Sequence, residues 1–240
     1  MIKQLIRKLY FKVIGKYEQI SSDEYLKYLR NKGIKIGIGT KILNPHNIYI
    51  DITRPELVEI GDNVFLHKGT TIMTHDWASW CFVKKYCDFI PSHGKIKIGN
   101  NVWLGENVTI LKNVTIGDNV IIGAGSIVTK SIPSNSVAVG IPAKAISSLD
   151  SYYEKRKEQY LLEAINYALA IYAYGREPQK ADFYDDYPAF VDGSNWQEYD
   201  YPYSKIFTPE QFEHWKQNHK APYHGWEDFM KAVNEKRQSK

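Results

Sequence analysis

The amino-acid sequence predicts a mainly β protein in which a coil of short strands lies between two helical regions. Aliphatic residues recur at every sixth position in the middle of the chain, and 11 of the 16 glycines lie there, between residues 34 and 147. Tyrosine has the opposite distribution, with 12 of 18 after residue 147. We therefore expect an N-terminal helical cap over residues 1–33, the coil over residues 34–147, and a helical, aromatic-rich extension over residues 148–240.

The second half of the coil has an unbroken period of six. Its aliphatic positions are Ile98, Leu104, Ile110, Ile116, Ile122 and Val128. This period fits neither the 3.6-residue repeat of an α-helix nor the two-residue repeat of a long strand. It predicts short flat strands that each direct one aliphatic side chain inward, with glycine at the corners where turns stack closely. Because one turn is too small to bury its own core, stacking of successive turns must stabilise the coil.

The first half of the coil keeps the same period up to a break. Its aliphatic positions are Ile36, Ile42, Ile48, Ile60, Leu66 and Ile72. Arg54 stands where one further aliphatic residue is expected. The 26 residues from Ile72 to Ile98 are not a multiple of six, which predicts an inserted loop over residues 76–95. Long loops inside compact repeats are usually functional, so His75 at the root of this loop is the first candidate for catalysis.

Composition excludes several classes of protein. The 31 basic and 27 acidic residues give a net charge of +4, which is too small to indicate a nucleic-acid partner. Two cysteines cannot form a disulfide framework. No apolar run reaches the roughly 18 residues of a membrane span, and residues 1–16 carry basic side chains where a signal peptide would be apolar. We expect a cytoplasmic protein in which an amphipathic N-terminal helix docks on the coil, with a peripheral membrane contact as the alternative.

The run over residues 98–128, IGNNVWLGENVTILKNVTIGDNVIIGAGSIV, resembles the hexapeptide-repeat acyltransferases. A weaker similarity extends to residues 21–29 and 50–55, and together these segments resemble the acyltransferases of polysaccharide gene clusters. The resemblance covers residues 34–147. It implies a left-handed parallel β-helix of triangular section, and a homotrimer whose active sites lie between subunits.

The same resemblance implies an acetyl-CoA-dependent O-acetyltransferase that acts on a sugar hydroxyl in surface polysaccharide or glycan biosynthesis. Histidine suits a base that accepts a hydroxyl proton near neutral pH, and in this family a histidine at the place of His75 deprotonates the acceptor. The acceptor, a small molecule or glycan, then attacks the thioester of acetyl-CoA directly. No metal is expected.

Other residues of the break are candidates for orienting the base or binding the acceptor. A histidine base needs its second ring nitrogen held by a carboxylate or a carbonyl group, and Asp51 and Asp76 are the acids near the break. Asp51, with the neighbouring Arg54, orients the base or binds the acceptor, unless this corner only forms a surface salt bridge. Trp77 and Trp80 either stack on a sugar ring or pack the loop against the coil.

The resemblance also implies a coenzyme A groove along the later turns, between two subunits. The matching positions are Ala124, Thr129, Lys130 and Lys144, with Trp103 and Gly105 at the thiol end. A pantetheine arm needs a narrow apolar groove, and lysines suit the phosphates of the nucleotide end. For Lys130, an ordinary exposed lysine is the alternative. Glu106 stands where relatives often have a small residue, so its role stays open.

Helix-start signals lie in both flanks. Ser21 and Glu24 have the spacing of a capping box, which predicts a short helix that closes the first turn. Ser151 and Glu154 have the same spacing and predict a second helix. Thr208, followed by proline, predicts a third.

Other functions stay open at this point. Within acyl transfer, the acceptor could be an amino sugar or a serine-type amine or hydroxyl. A metal-dependent hydratase or a non-catalytic trimeric scaffold would belong to another class. The hydratase needs three histidines that meet across a subunit interface. The spacing of His46, His67, His75 and His93 does not resemble such a set.

Overall fold

The structure, a computed structural model, describes residues 20–198 and 207–239 of the chain. The amphipathic N-terminal stretch, with its expected docking on the coil and the alternative membrane contact, lies outside these residues. The chain divides into two compact units, one up to Tyr152 and one from Tyr153. The first unit contains both the predicted coil and the helix before it, and the domain boundaries within it stay a prediction. The described part of the chain contains no helix with enough length and apolar character to cross a membrane.

The first unit is a coil of three sheets of short strands. Sheet A contains β1 (Lys35–Ile36), β4 (Val58–Ile60), β9 (Ile96–Ile98) and β12 (Val114–Ile116). Sheet B contains β2 (Lys41–Ile42), β5 (Phe65–Leu66), β10 (Val102–Leu104), β13 (Val120–Ile122), β15 (Ser136–Gly140) and β16 (Ala143–Ser148). Sheet C contains β3 (Tyr49–Ile50), β6 (Thr71–Ile72), β11 (Thr109–Ile110) and β14 (Ile127–Val128).

From β1 to β14, successive strands of the coil belong to sheets A, B and C in that repeating order. Each of these turns therefore contributes one strand to every sheet, except that the last one, which begins with β12, is followed by β15 and β16 in sheet B. Neighbouring strands in a sheet come from successive turns and pair in parallel. The pair β15–β16 is antiparallel and ends the coil. This arrangement of mainly parallel sheets fits the β-helix that the hexapeptide repeat implies.

The aliphatic residues of the six-residue period form the core of the coil. Those of the second half are Ile98, Leu104, Ile110, Ile116, Ile122 and Val128. Their exposed fractions lie between 0% and 1%, and each aligns in register with a residue of the turn before or after it. Because full burial of one such side chain stabilises by about 1.5–3 kcal/mol, the stacked column is the main source of stability of this unit.

The first turn differs from the sequence-based expectation. A regular turn takes 18 residues, whereas the turn from Ile36 to Ile60 takes 24. Ile48 and Ile50 are both buried, but Ile50 is the residue that aligns with Ile72 in sheet C. The six extra residues lie in the corners before and after β3, and they return the chain to its original phase. The apparent exception at Arg54 is therefore an enlarged corner rather than a defective strand.

The break after β6 is an ordered insert, residues 73–95, rather than an open loop. Strands β7 (His75–Asp76) and β8 (Ser92–His93) form an antiparallel ribbon at its base. Helix α2 (Ser79–Tyr86) lies between them in the chain, after α1 (Ser22–Asn31) as the second helix. The insert thus starts before residue 76, since His75 already belongs to the ribbon.

The capping box predicted before the coil is present, whereas the helix predicted after the coil begins at a different residue. The capping box of α1 is present, because Ser21 Oγ accepts from Glu24 N and Glu24 Oε2 accepts from Ser21 N. The next helix after the coil, α3 (Leu149–Ala173), begins before the expected Ser151. Ser148, the last residue of β16, accepts from Ser151 N at 3.1 Å. Ser148 caps α3 because the strand ends directly at the helix start.

The second unit has a core of aromatic rings. It contains α3 from Tyr153 onward, α4 (Pro209–Asn218), α5 (Trp226–Gln238), and 3-10 segments at Lys180–Phe183, Tyr187–Ala189 and Gly193–Glu198. Phe183 is fully buried, and the centroid of its ring lies 5.3 Å from that of Trp226 and 5.2 Å from that of Phe229. Thr208 caps α4 as expected. Aromatic pairs add about 0.5–1.5 kcal/mol each beyond burial, which explains the concentration of rings in this part of the sequence.

A ladder of asparagines follows the corner between sheets A and B. Asn101, Asn119 and Asn135 have φ values of 53°, 57° and 57°, a left-handed conformation that asparagine tolerates better than other residues with a Cβ. Asn101 Nδ2 donates to Asn119 Oδ1 at 2.8 Å, and Asn119 Nδ2 donates to Asn135 Oδ1 at 3.0 Å. The ladder therefore combines a backbone requirement with a side-chain link between turns.

We expect Asn119→Ala to lower the free energy of unfolding by about 2 kcal/mol, since alanine is strained at positive φ and cannot form the two hydrogen bonds. Asn119→Gly restores the backbone conformation alone, and we expect a loss of about 1 kcal/mol. Urea denaturation followed by far-UV circular dichroism measures both. A larger loss for the glycine variant than for the alanine variant would contradict the role of the left-handed corner.

Candidate active site

A buried carboxylate and a histidine meet where the insert leaves the coil. His75 Nδ1 lies 2.6 Å from Asp51 Oδ2. The Asp51 side chain is fully buried, and 19% of the His75 side chain is exposed. Asp51 follows β3 and His75 follows β6, and these strands pair in parallel. Their ends therefore lie at the same corner, which brings together two residues that are 24 positions apart.

Asp51 accepts hydrogen bonds at both carboxylate oxygens. Oδ1 accepts from Thr53 N at 2.9 Å and from Thr53 Oγ1 at 2.7 Å. Oδ2 accepts from Thr74 Oγ1 and faces the His75 ring. Burial by itself raises the pKa of Asp51, but the hydrogen bonds from Thr74, Thr53 and His75 outweigh burial and hold the pKa well below its usual range.

The ionised Asp51 fixes the tautomer of His75. A carboxylate can only accept, so Nδ1 of His75 must carry the proton that joins the two groups. In the neutral ring, Nε2 is then the unprotonated nitrogen and can accept a proton. Because Thr53 and Thr74 hold the buried carboxylate of Asp51 with three hydrogen bonds, the orientation of the His75 ring is set before any ligand binds.

Asp76 is directed away from His75. Its Oδ2 accepts from Ser92 Oγ at 3.0 Å and from Lys112 Nζ, and its Oδ1 accepts from Ala78 N at 3.0 Å. Lys112 is the main cause that lowers the pKa of Asp76 to about 2. Of the two acids near the break, Asp51 alone contacts the imidazole.

Arg54, Trp77 and Trp80 do not contact the pair. Arg54 Nη1 donates to Thr53 Oγ1 at 3.4 Å, so it borders the Asp51 network. Trp77 and Trp80 are 66% and 69% exposed. Packing of these two rings against the coil, one of the two expected roles, is therefore not what the structure shows within one chain. Their contacts lie within the insert, where Lys84 Nζ lies 5.4 Å from the centroid of the Trp80 ring and the Trp77 and Phe89 ring centroids are 6.3 Å apart.

The expected coenzyme A residues are distributed over two corners of the coil. Gly105 and Ala124 stack at the corner between sheets B and C, where a Cβ on residue 105 would lie 2.6 Å from Ala124 N. Thr129 and Lys130 follow β14 and lie at the corner between sheets C and A, the corner of His75. One chain thus brings only part of the set together.

The last two expected residues lie on sheet B. Trp103 projects outward from β10 and stacks on Phe65 with ring centroids 4.5 Å apart. Lys144 is exposed on β16. Glu106, whose role the sequence left open, pairs with Lys68 at 3.1 Å and lies 3.4 Å from His67 Nδ1.

Four residues that the sequence did not single out complete the site: Thr53, Thr74, Ser92 and Lys112. Thr53 and Thr74 flank the two residues of the pair, so their positions beside candidate residues were an available signal. Lys112 had no such local signal. It follows β11, which pairs with β6, and only this pairing brings it to the base of the insert.

Within the described ranges, no three histidine, cysteine, aspartate or glutamate side chains form a group that could hold a metal ion. His93 lies opposite His75 in the ribbon, His67 adjoins Glu106, and His46 is exposed. The histidines considered for a hydratase therefore lie in two places in one chain, with His75 and His93 in the ribbon and His46 and His67 at the corner between sheets B and C.

Comparison with known proteins identifies the family. The model of the family "bacterial transferase hexapeptide (six repeats)" matches residues 95–130. Protein CapG of Staphylococcus aureus is 38% identical over 150 residues, which are 62% of this chain and 83% of that protein. The chain belongs to the hexapeptide-repeat acyltransferases. The resemblance of the repeat run to this family is thus confirmed, and the chain is an acyltransferase.

Two O-acetyltransferases are also similar to this chain. Galactoside O-acetyltransferase of Escherichia coli (strain K12) is 36% identical over 157 residues, 64% of this chain and 73% of that protein. A solved structure of a maltose O-acetyltransferase from Clostridium difficile 630 has 32% identity and a TM-score of 0.41. The aligned region covers 59% of this chain and 85% of the chain of that structure.

We expect Thr74→Val to lower the free energy of unfolding by about 2 kcal/mol, because the buried Asp51 carboxylate loses a donor and valine supplies none. Thr115→Val, on the exposed face of β12, is the matched control and should stay within about 0.5 kcal/mol of the parent. Urea denaturation of the three proteins measures the difference. Equal stabilities for both variants would show that the hydrogen bond from Thr74 does not stabilise the carboxylate.

Proposed function

We propose that this acyltransferase is an acetyl-CoA-dependent O-acetyltransferase that acts on a sugar hydroxyl in surface polysaccharide or glycan biosynthesis, with His75 as general base. The buried Asp51–His75 pair is the observation that carries the proposal. The names of the relatives support the acceptor class, since one is a galactoside O-acetyltransferase. An acceptor hydroxyl is too weak an acid to ionise near neutral pH, so its attack needs a positioned base.

Proton transfer to His75 accompanies the attack. The acceptor oxygen forms a bond to the thioester carbonyl carbon while its proton passes to Nε2 of His75. Asp51 stabilises the imidazolium that results. The C–S bond then breaks, and the departing sulfur takes the proton from the imidazolium. The products are the O-acetyl ester and coenzyme A thiol, and His75 is neutral again without a covalent enzyme intermediate.

The residues expected to hold acetyl-CoA fit that donor. Lys130 and Lys144 are exposed and form no salt bridge within the described part of the chain, so both charges are available to phosphate groups. Gly105 is buried against Ala124, whose small side chain is exposed, so this narrow corner suits a pantetheine arm. Trp103 offers an apolar face for the thiol end.

The distribution of these residues supports a site between subunits. His75 and Lys130 lie at one corner of the coil, and Gly105 and Ala124 lie at another. A site that uses both sets is completed when the corners of two copies meet. We infer a homotrimer of left-handed β-helices with three such sites. The two free cysteines and the acyl donor favour a cytoplasmic location.

We expect His75→Ala to lower kcat by about 10²–10⁴-fold, because no group remains to accept the hydroxyl proton. The binding of acetyl-CoA, measured by calorimetry, should not change. Thiol release with hydroxyl acceptors such as a galactoside and maltose, and with amine acceptors such as glucosamine, measures turnover and tests the acceptor class. Near-normal turnover in the variant would refute His75 as the base.

We expect Asp51→Asn to lower kcat by at least about 10²-fold through the tautomer of His75. The amide Nδ2 would donate to Nδ1, which places the ring proton on Nε2 and removes the base. Steady-state kinetics measure kcat. Asp118→Asn, at the corner between sheets A and B, is the control and should keep the parent kcat. An Asp51→Asn enzyme with the parent kcat would contradict the pairing.

A further inference from the structure

We propose that Lys112 is a positioning residue for this reaction, because its ammonium group fastens the ribbon that carries His75 to the third turn of the coil. The inference rests on the proposed function of His75. Lys112 does not belong to the expected site and has no contact with His75. It acts through Asp76 and Ser92, which Lys112 Nζ contacts simultaneously.

The two partners of Lys112 lie on different strands of the ribbon. Asp76 on β7 and Ser92 on β8 are directly opposite each other in the antiparallel register, and Ser92 Oγ also donates to Asp76 Oδ2 at 3.0 Å. One lysine therefore joins both strands to each other and to the coil. A side chain that joined a single strand would leave the other free to shift.

Register in sheet C explains why Lys112 reaches this place. Ile72 aligns with Ile110, the insert leaves the coil directly after Ile72, and Lys112 is the second residue after Ile110. Met73 N donates to Ile110 O at 3.0 Å, which continues the pairing to the start of the insert. The pairing of β11 with β6 thus places Lys112 beside the base of the ribbon, independently of the conformation of the outer part of the insert.

The outer part of the insert offers the ribbon little support. In α2, Ser79 is the single buried residue. Its hydroxyl donates to the carbonyl oxygen of Ile90, which is within the insert itself. Contacts at the base must therefore fix the ribbon, and Lys112 supplies a charged one there.

Alternation along β7 makes this contact relevant to catalysis. Successive side chains of a strand point to opposite faces, so His75 and Asp76 project to opposite sides of the ribbon. His75 is held by Asp51 on one side, and Asp76 is held by Lys112 on the other. A rotation of β7 that would redirect Nε2 of His75 must break both contacts. Lys112 therefore limits the orientation of the base without contacting it.

The test compares Lys112→Met and Lys112→Arg with the matched control Lys95→Met. Lys95, the last residue of the insert, also pairs with a carboxylate, Glu59 of β4 at 2.7 Å, but neither strand of the ribbon takes part in this pair. We expect Lys112→Met to lower kcat about tenfold, as small misplacements of catalytic groups do, with an unchanged dissociation constant for acetyl-CoA. Arginine can donate to both partners and should restore kcat to within about threefold. Lys95→Met should stay within about twofold of the parent.

A structural readout separates positioning from general destabilisation. The proton between His75 and Asp51 gives a downfield resonance in proton NMR, and we expect it to broaden or disappear in Lys112→Met but to persist in Lys112→Arg. If Lys112→Met does not fold, Ser92→Ala removes the contacts of the Ser92 hydroxyl to Lys112 and Asp76, leaves the Lys112–Asp76 pair, and should lower kcat about threefold.

The outcomes also distinguish this inference from the proposed function. If His75→Ala is inactive while Lys112→Met and Ser92→Ala keep the parent kcat and the downfield resonance, the positioning role of Lys112 is refuted and the function stands. If His75→Ala keeps near-normal turnover, the proposed function itself fails.

Discussion

No turn of the coil buries its own aliphatic side chains, so the first unit depends on parallel, in-register pairing between successive turns. In sheet C the strands have two residues each, and such short strands have no stability on their own. Pairing aligns Ile50, Ile72 and Ile110 in one column of the core. A shift by one residue would turn this column outward, which is why the register is strongly determined.

The same register builds the corner of the proposed active site. Asp51, His75 and Lys112 follow the aligned residues of sheet C by one, three and two positions. They belong to three successive turns, and the corner between sheets C and A brings them together. The core and the site therefore share one constraint, because any change that moves a strand of sheet C also moves a group of the site.

The buried carboxylate of Asp51 is the costly element of this corner. An isolated charge in the interior is strongly destabilising unless hydrogen bonds satisfy it. Thr53, Thr74 and His75 provide that satisfaction, and the enlarged first turn positions Thr53 to contribute two of the donors. In return the imidazole is held in one tautomer and one orientation. The desolvation cost is met during folding, so the proposed base needs no rearrangement when an acceptor binds.

The sequence by itself determined the coil, its inward column, the existence of the insert, the family, and His75 as the candidate base. All of these depend on spacing along the chain, and the period of six can be read from the sequence alone. The period also misplaced one core residue. Because the first turn is longer by one six-residue period, counting in sixes continued past it and pointed to Ile48, whereas Ile50 is the residue that aligns with Ile72.

Only the tertiary structure decided between Asp51 and Asp76 and brought Lys112 to the insert. Asp76 adjoins His75 in the sequence, yet alternation along β7 directs the two side chains to opposite faces of the ribbon. Asp51 and Lys112 are 24 and 37 positions from His75, and they approach it because turns stack in register. A side-chain partner depends on which turn lies against which, and on which face of a strand a residue occupies. Neither can be read from residues that are close together in the sequence, whereas the period of the inward aliphatic residues can.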